Sequence, residues 1–391
     1  MTPRSGDPLV ERMRPYTSSI FAEMSARAVA TGAINLGQGF PDTDGPAEVI
    51  EAAVAALRAG HNQYPPGAGI PELRAAVADH QRRHYGMDLD PADEVLITMG
   101  ASEAIASAVL AMCGPGDEVL TFEPWFDLYA AAVTLSGATR RCVPLRQPDW
   151  SFDPEELRRA VTPATRLLLL NSPHNPTGKV FRADELAMIA ELCVERDLIA
   201  VTDEVYEHLT FDGRAHLPLA TFPGMADRTL TVSSAGKTFS VTGWKVGWAS
   251  GPLPLVRATR TVKQNLSYSG GTPFQHAIAA ALALPDAVTA GLRESLQSKR
   301  DRLCAGLRSA GFQVIEPEGT YFVTVDVRSV GQDDGMQFCR DLPERAGVVA
   351  IPDSVFYDDA GAGRSLVRFA CCKRDDVIDD AMGRLARAFP T

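Results

Sequence analysis

The sequence predicts an α/β fold, in which a mostly parallel sheet carries helices on both faces and is joined to a smaller α+β unit. Three observations point there. Short apolar runs alternate with amphipathic segments through the middle of the chain. Several runs are apolar at every position, as strands buried on both faces must be. After about residue 285 the rhythm changes, and a charged helix leads into paired strands.

In order, strands are expected at 94–100 (EVLITMG), 118–124 (EVLTFEP), 166–173 (RLLLLNSP), 198–206 (LIAVTDEVY), 229–234 (TLTVSS) and 244–250 (WKVGWAS). Amphipathic segments such as 183–197 (ADELAMIAELCVERD) fall between them and read as helices. This alternation gives a layered α/β architecture. Further on, SLQSKRDRLCAGLRSAG reads as a helix, FQVIEPEGTYFVTVDV as a hairpin and SLVRFACC as a strand. The last helix sets Val377, Ile378, Ala381, Met382, Leu385 and Phe389 on one face. The expected division is a large domain, 45–285, and a small domain made of 1–44 and 286–391.

The chain has 391 residues, too many for one small core. Its 45% hydrophobic and 22% charged residues are the balance of an ordinary soluble enzyme. A net charge of -11 argues against nucleic acid or an anionic membrane as the main partner. The longest aliphatic stretch, around Leu167 to Leu170, is too short to span a bilayer. The opening MTPRSGDPLVERMRPY lacks the apolar run of a signal peptide. The seven cysteines form no CxxC pair, which suggests reduced thiols and a cytoplasmic protein. Adjacent Cys371 and Cys372 suit an alternating strand better than a disulfide.

Some motifs fail on spacing. Gly236-Lys237-Thr238 ends like a phosphate-binding P-loop, but the glycine required five residues earlier is Thr231. Gly37-Gln38-Gly39 begins like a dinucleotide fingerprint, but its third glycine position holds Asp42. His80 and His84 share a helix face, yet Arg82 and Arg83 intervene and no third ligand is suggested. They read as a solvated face, and no metal is expected.

Four features sit at strand ends or in the turns after them, where open α/β sheets bind ligands. Gly100-Ala101-Ser102 opens a helix, as a phosphate cup or as a plain Ser N-cap. In NSPHNPTG, Asn175 either faces a ligand or stabilises the turn. Asp203 closes an apolar strand and needs a partner, a cationic heterocycle or a helix start. Lys237 follows a strand among residues too small to crowd it, and a desolvated lysine can form a Schiff base with a carbonyl. Together these are the requirements of pyridoxal phosphate.

The chain resembles the class I aminotransferases from Ile34 to its last helix. Ser234-Ala235-Gly236-Lys237 and Gly243-Trp244-Lys245-Val246-Gly247 match the lysine signature of that family. The resemblance implies the fold-type I pyridoxal-phosphate transferase fold, with a mostly parallel seven-stranded sheet. It implies that Lys237 bonds the cofactor and carries the substrate proton, that Asp203 pairs with the ring nitrogen, and that Asn175 and Tyr206 hold the ring oxygen. Phe126 would stack on the ring, with Trp125 as its rival. Gly100, Ala101, Ser102, Ser234 and Lys245 would hold the phosphate. Arg368, Gly39 and Asn175 would bind the substrate carboxylate. Tyr64 would reach the phosphate of a neighbouring subunit, which implies a homodimer with shared sites, and Tyr268 would face that partner's side of the pocket.

The implied reaction moves the amino group of an L-amino acid to a 2-oxo acid such as 2-oxoglutarate. NLGQGFPD, SPHNPTG and SAGKTFSVTGWK resemble N-succinyldiaminopimelate aminotransferases and the kynurenine and glutamine aminotransferases, whose β-lyase side activity is the alternative reading. No arginine lies between Lys263 and Phe274, which demotes aspartate as donor. A non-enzymatic regulator on this fold is the remote alternative; about forty residues before the first motif are short for a helix-turn-helix module and linker.

Overall fold

The computed structural model describes residues 8–17 and 19–390. Residues 1–7, which the sequence reading gives to the small domain, lie outside the described residues, as do Ser18 and Thr391.

The strands are, in chain order, β1 (Ile34–Asn35), β2 (Val95–Met99), β3 (Glu118–Glu123), β4 (Thr139–Pro144), β5 (Thr165–Asn171), β6 (Ile199–Asp203) and β7 (Thr229–Ser234). They continue with β8 (Val246–Ser250), β9 (Gln313–Ile315), β10 (Phe322–Asp326), β11 (Val348–Val349), β12 (Ile351–Pro352) and β13 (Leu366–Ala370). Seven of them form one sheet in the order β2-β8-β7-β6-β5-β3-β4. The run from β7 to β4 is parallel, whereas β8 is antiparallel to both its neighbours. Segment 235–245 explains the reversal. It is too short for the crossover that a parallel return needs, so the chain turns back beside β7.

The sheet is buried on both faces. Leu167, Leu169, Val201 and Leu230 pack on one side under the helices Gly100–Met112 and Asp127–Ser136. Leu168, Leu170 and Ala200 pack on the other against the helix Ala183–Glu195. Period-two alternation along each strand divides these residues between the layers.

A second, four-stranded antiparallel sheet has the order β12-β13-β10-β9. The helices Ala287–Ser309, Gly335–Ala346 and Asp375–Ala388 supply core residues beside it, joined by Met24 and Ala28 of the helix Ile20–Thr31. The predicted hairpin is β9 with β10. On the last helix Ile378, Ala381, Met382 and Leu385 are buried. Val205, Tyr206 and Leu209, from the turn after β6, enter this second core, so the turn that follows Asp203 touches both sheets.

Several expectations need correction. β4 was not foreseen, because it is an edge strand in which exposed Thr139 and Arg141 interrupt the apolar pattern. The strand placed at 244–250 begins only at Val246, since Thr242–Trp244 forms a short 3-10 turn and Lys245 is left-handed, with φ +54°. Cys371 and Cys372 lie just beyond β13 rather than within it, both buried and both free. The histidine pair is not a solvated face. His80 is buried, and its Nε2 lies 2.8 Å from Nε2 of His208.

Candidate active site

Parallel strands end at one edge of their sheet, and here β5, β6 and β7 end on Asn171, Asp203 and Ser234. All three line a cleft of about 340 Å³. The start of the helix Gly100–Met112 enters it from one side, and Arg368 of β13 and the Gly39 loop enter from the second sheet.

Lys237 lies on the short turn Ala235–Thr238 directly after β7. A Cβ on Gly236 would stand 3.0 Å from Cα of Thr242, so small residues let this turn fold tightly. The Lys237 Nζ donates to the Tyr321 hydroxyl at 2.6 Å, and that hydroxyl donates to the Gly39 carbonyl, also at 2.6 Å. Burial disfavours the ammonium and pushes Lys237 down to about 8. A useful fraction of the amine is therefore uncharged near neutrality.

Asp203 is 5% exposed and has no salt-bridge partner among the described residues. Burial pushes its carboxyl up to about 6, opposed by the Tyr129 hydroxyl that donates to it at 2.6 Å. It is not a helix cap; the one backbone hydrogen bond to its carboxylate among the described residues is a long one from the Val205 N–H at 3.4 Å. A buried carboxylate held in place but lacking a cation fits a protonated ring nitrogen.

At the other end of the cleft, Glu103 accepts the Met99 N–H at 2.7 Å and closes the helix start. Ser102 is therefore not the N-cap, and the plain capping alternative fails. Gly100 has φ +71°, and a Cβ there would be 3.3 Å from the Lys245 Nζ. A Cβ on Gly247 would lie 2.5 Å from the Gly100 carbonyl carbon and 2.7 Å from the Ala101 nitrogen. Strand and helix start thus meet without an intervening side chain. The Ser234 side chain caps nothing, and it lines the cleft with Ala101, Ser102 and Lys245. Hydroxyls, a helix N-terminus and an ammonium converging there suit a phosphate.

Arg368 is 2% exposed. It donates through Nη1 to Asn175 Oδ1 at 2.9 Å and through Nη2 to the Gly37 carbonyl at 3.4 Å. Its guanidinium carbon lies 3.9 Å from the centre of the Phe322 ring. No carboxylate pairs with it among the described residues, and its Nε has no partner. A buried guanidinium with spare donors is a receptor for an incoming carboxylate. Gly39 closes this end. A Cβ there would fall 2.4 Å from the Phe322 ring, so only glycine fits.

Phe126 and Tyr206 line the cleft, whereas Trp125 is buried elsewhere under the Arg140 guanidinium. Tyr64 does not reach its own chain's cleft. It is 86% exposed and meets the half-exposed Tyr268 edge to face at 5.9 Å.

Three residues escaped the sequence reading. Tyr129 holds Asp203, Tyr321 holds Lys237, and the Asn171 side chain ties the Asn175 N–H, at 2.7 Å, to the Asp203 carbonyl, at 2.8 Å. Asn171 closes an otherwise apolar strand, a signal of the same kind as Asp203. Tyr129 lies one helical turn beyond Phe126. Tyr321 offered none, since its contact spans two sheets.

The family model described as "Aminotransferase class I and II" matches residues 31–385. The "Probable N-succinyldiaminopimelate aminotransferase" of Mycobacterium tuberculosis is 55% identical, over 96% of this chain and 98% of its own. "Kynurenine--oxoglutarate transaminase 3" of Mus musculus is 38% identical, over 95% of this chain and 88% of its own. Among solved structures, the N-succinyldiaminopimelate aminotransferase from M. tuberculosis superposes with a TM-score of 0.95, covering 97% of this chain and 100% of that one.

Proposed function

Because this chain belongs to the class I and II aminotransferases, which are pyridoxal-phosphate enzymes, we propose that it transfers the amino group of N-succinyldiaminopimelate to 2-oxoglutarate. The observation that carries the class of substrate is Arg368, a buried guanidinium with a free donor and no salt bridge to a carboxylate among the described residues. The particular donor rests on the 55% relative.

The cofactor fits the cleft by the tests above, and when bound it supplies an electron sink for the pair left on the substrate α-carbon. The chain's residues do the rest. Arg368 clamps the α-carboxylate with two parallel donors, and Asn175 keeps its fork in plane. Gly39 lets the backbone close over that carboxylate. Lys237 is the amine that would bond the cofactor; once released it would take the substrate α-proton and hold it for return on the far side of the amino nitrogen, two atoms along. Tyr321 holds that amine on the Gly39 side of the cleft. Asp203 keeps a positive charge on the ring nitrogen, steadied by Tyr129. Phe126 and Tyr206 orient the ring, while Ser102, Ser234 and Lys245 fix the phosphate.

The reading includes a cytoplasmic homodimer in which Tyr64 completes the neighbour's site, and the division 45–285 against 1–44 with 286–391. The exposure of Tyr64 and Tyr268 supports the first.

The test is a donor panel with 2-oxoglutarate, scored by loss of the cofactor's yellow absorbance in the half-reaction. N-succinyldiaminopimelate should give the highest kcat/KM. Kynurenine or glutamine ahead of it would move the chain to the branch of the mouse relative. Lys237→Ala should bind cofactor without a covalent bond to the chain, so that borohydride fixes none of it to the protein, and turn over no donor; turnover at the parent rate would sink the assignment.

A further inference from the structure

We infer that His80, His84 and His208 form a binding site for one divalent transition-metal ion, separate from the cleft. His80 and His84 stand one turn apart on the helix Pro71–Tyr85. The third imidazole comes from the turn after β6, a distant part of the chain that no spacing rule would pair with them. One ligating nitrogen of each ring lies within 4.8 Å of the other two. The three rings border a space of about 10 Å³, room for an ion but for no larger ligand.

The geometry needs little change. Tetrahedral coordination with bonds of about 2.0 Å sets the nitrogens roughly 3.3 Å apart. The His80 and His208 Nε2 atoms are 2.8 Å apart, sharing one proton where an ion would take its place. A small outward rotation of either ring would open that pair to the required spacing. His84, with a side chain 20% exposed, gives the ion a way in. Three protein ligands leave a fourth position for water.

The surroundings favour added positive charge. Glu207, beside these rings, is 4% exposed and has no lysine or arginine salt-bridge partner among the described residues. Among the described residues, its carboxylate accepts hydrogen bonds from Ser233 and Tyr85. Glu204 is already matched by His216 at 2.7 Å. The opposing charge is Arg83, whose Nη2 lies 3.4 Å from the His84 Nε2 while its guanidinium also reaches Asp286 at 3.5 Å and the Leu282 carbonyl at 3.1 Å; the Asp286 carboxylate, 3.6 Å from that same nitrogen, offsets it. His80 Nδ1 has no partner among the described residues. Burial pushes His80 and His208 down, so both stay in the neutral form that ligates metals. The other cluster of possible ligands, Glu123, Cys142 and Asp358, lacks this character, because Arg140 already pairs with Asp358.

An ion here would tie the helix Pro71–Tyr85 to the turn that carries Tyr206, behind the cofactor cleft. The test is titration of chelator-washed holoenzyme with Co²⁺. One equivalent per chain should produce the intense visible bands of a four-coordinate site, and Zn²⁺ should erase them. His84→Gln combined with His208→Gln should weaken binding by at least roughly 100-fold, the loss that disturbing a metal's outer shell alone can cause. Cofactor absorbance and transamination should survive in that variant, since neither residue lines the cleft. If the double variant fails to fold, His84→Gln alone carries the same expectation. His61→Ala removes a surface histidine whose ring lies 3.9 Å from that of His276, and it should leave the bands intact. Parent enzyme without the bands, or bands that persist without His84, would overturn the site.

Discussion

At the scale of the residue, the proposed chemistry depends on a lysine kept partly uncharged. Only the free amine attacks a carbonyl, and burial brings Lys237 from 10.5 to about 8. The rate at which apoenzyme recombines with pyridoxal phosphate should therefore rise with pH and level off above about 8 to 9. A rise that continues past pH 10 would mean an ordinary lysine. Stability follows the same shift. Between about 8 and 10.5 the unfolded chain holds the proton that the folded one has lost. The cost of burying the ammonium is thus full below pH 8 and fades above it, and apoenzyme stability gains from this group as pH rises through that window. Lys237, Asp203 and Asn175 were legible in the sequence because each closes or follows an apolar strand. Tyr321 was not, because its contact with Lys237 exists only when the second sheet docks on the first.

At the scale of the element, the cleft is set by how closely β8 approaches the start of the helix Gly100–Met112. Gly247→Ala would put a methyl group 2.5 Å from the Gly100 carbonyl carbon. Overpacking of this kind costs about 1–3 kcal/mol. The strain falls on the groups proposed to face the phosphate, so the cofactor dissociation constant should rise by roughly tenfold or more. Gly243→Ala, with nothing within 4 Å of its Cβ, should leave that constant unchanged. A fluorescence titration of apoenzyme with cofactor compares the two. Among the strands, β3, β5, β6 and β7 were readable because burial of nearly every position leaves mostly apolar residues, with threonine or serine between them, along their middles. β4 was not, because only Val143 of its six residues is fully buried. Boundaries slipped where turn geometry, rather than hydropathy, ends the strand, as at Lys245.

At the scale of the whole molecule, the proposed dimer makes a prediction that one chain cannot. If Tyr64 serves the neighbour, Lys237→Ala and Tyr64→Phe chains should complement each other. A heterodimer of the two holds one site with both native residues and one with neither. Mixed and co-refolded variants should thus exceed the sum of the separate activities, and tandem-tagged heterodimers should carry the gain. Strict additivity would remove Tyr64 from the shared site. Assembly also has to avoid unwanted partners. The parallel sheet ends on β4, whose outer backbone groups have no neighbouring strand. Arg141 there is bound to Glu118, Arg140 to Asp358, and the strand finishes on Pro144, which has no N–H to offer. An added strand would have to desolvate those ion pairs and would meet a missing donor at the end of the ladder. The polarity that hid β4 from a hydropathy reading thus guards the open rim against runaway polymerisation and leaves self-recognition to other surfaces.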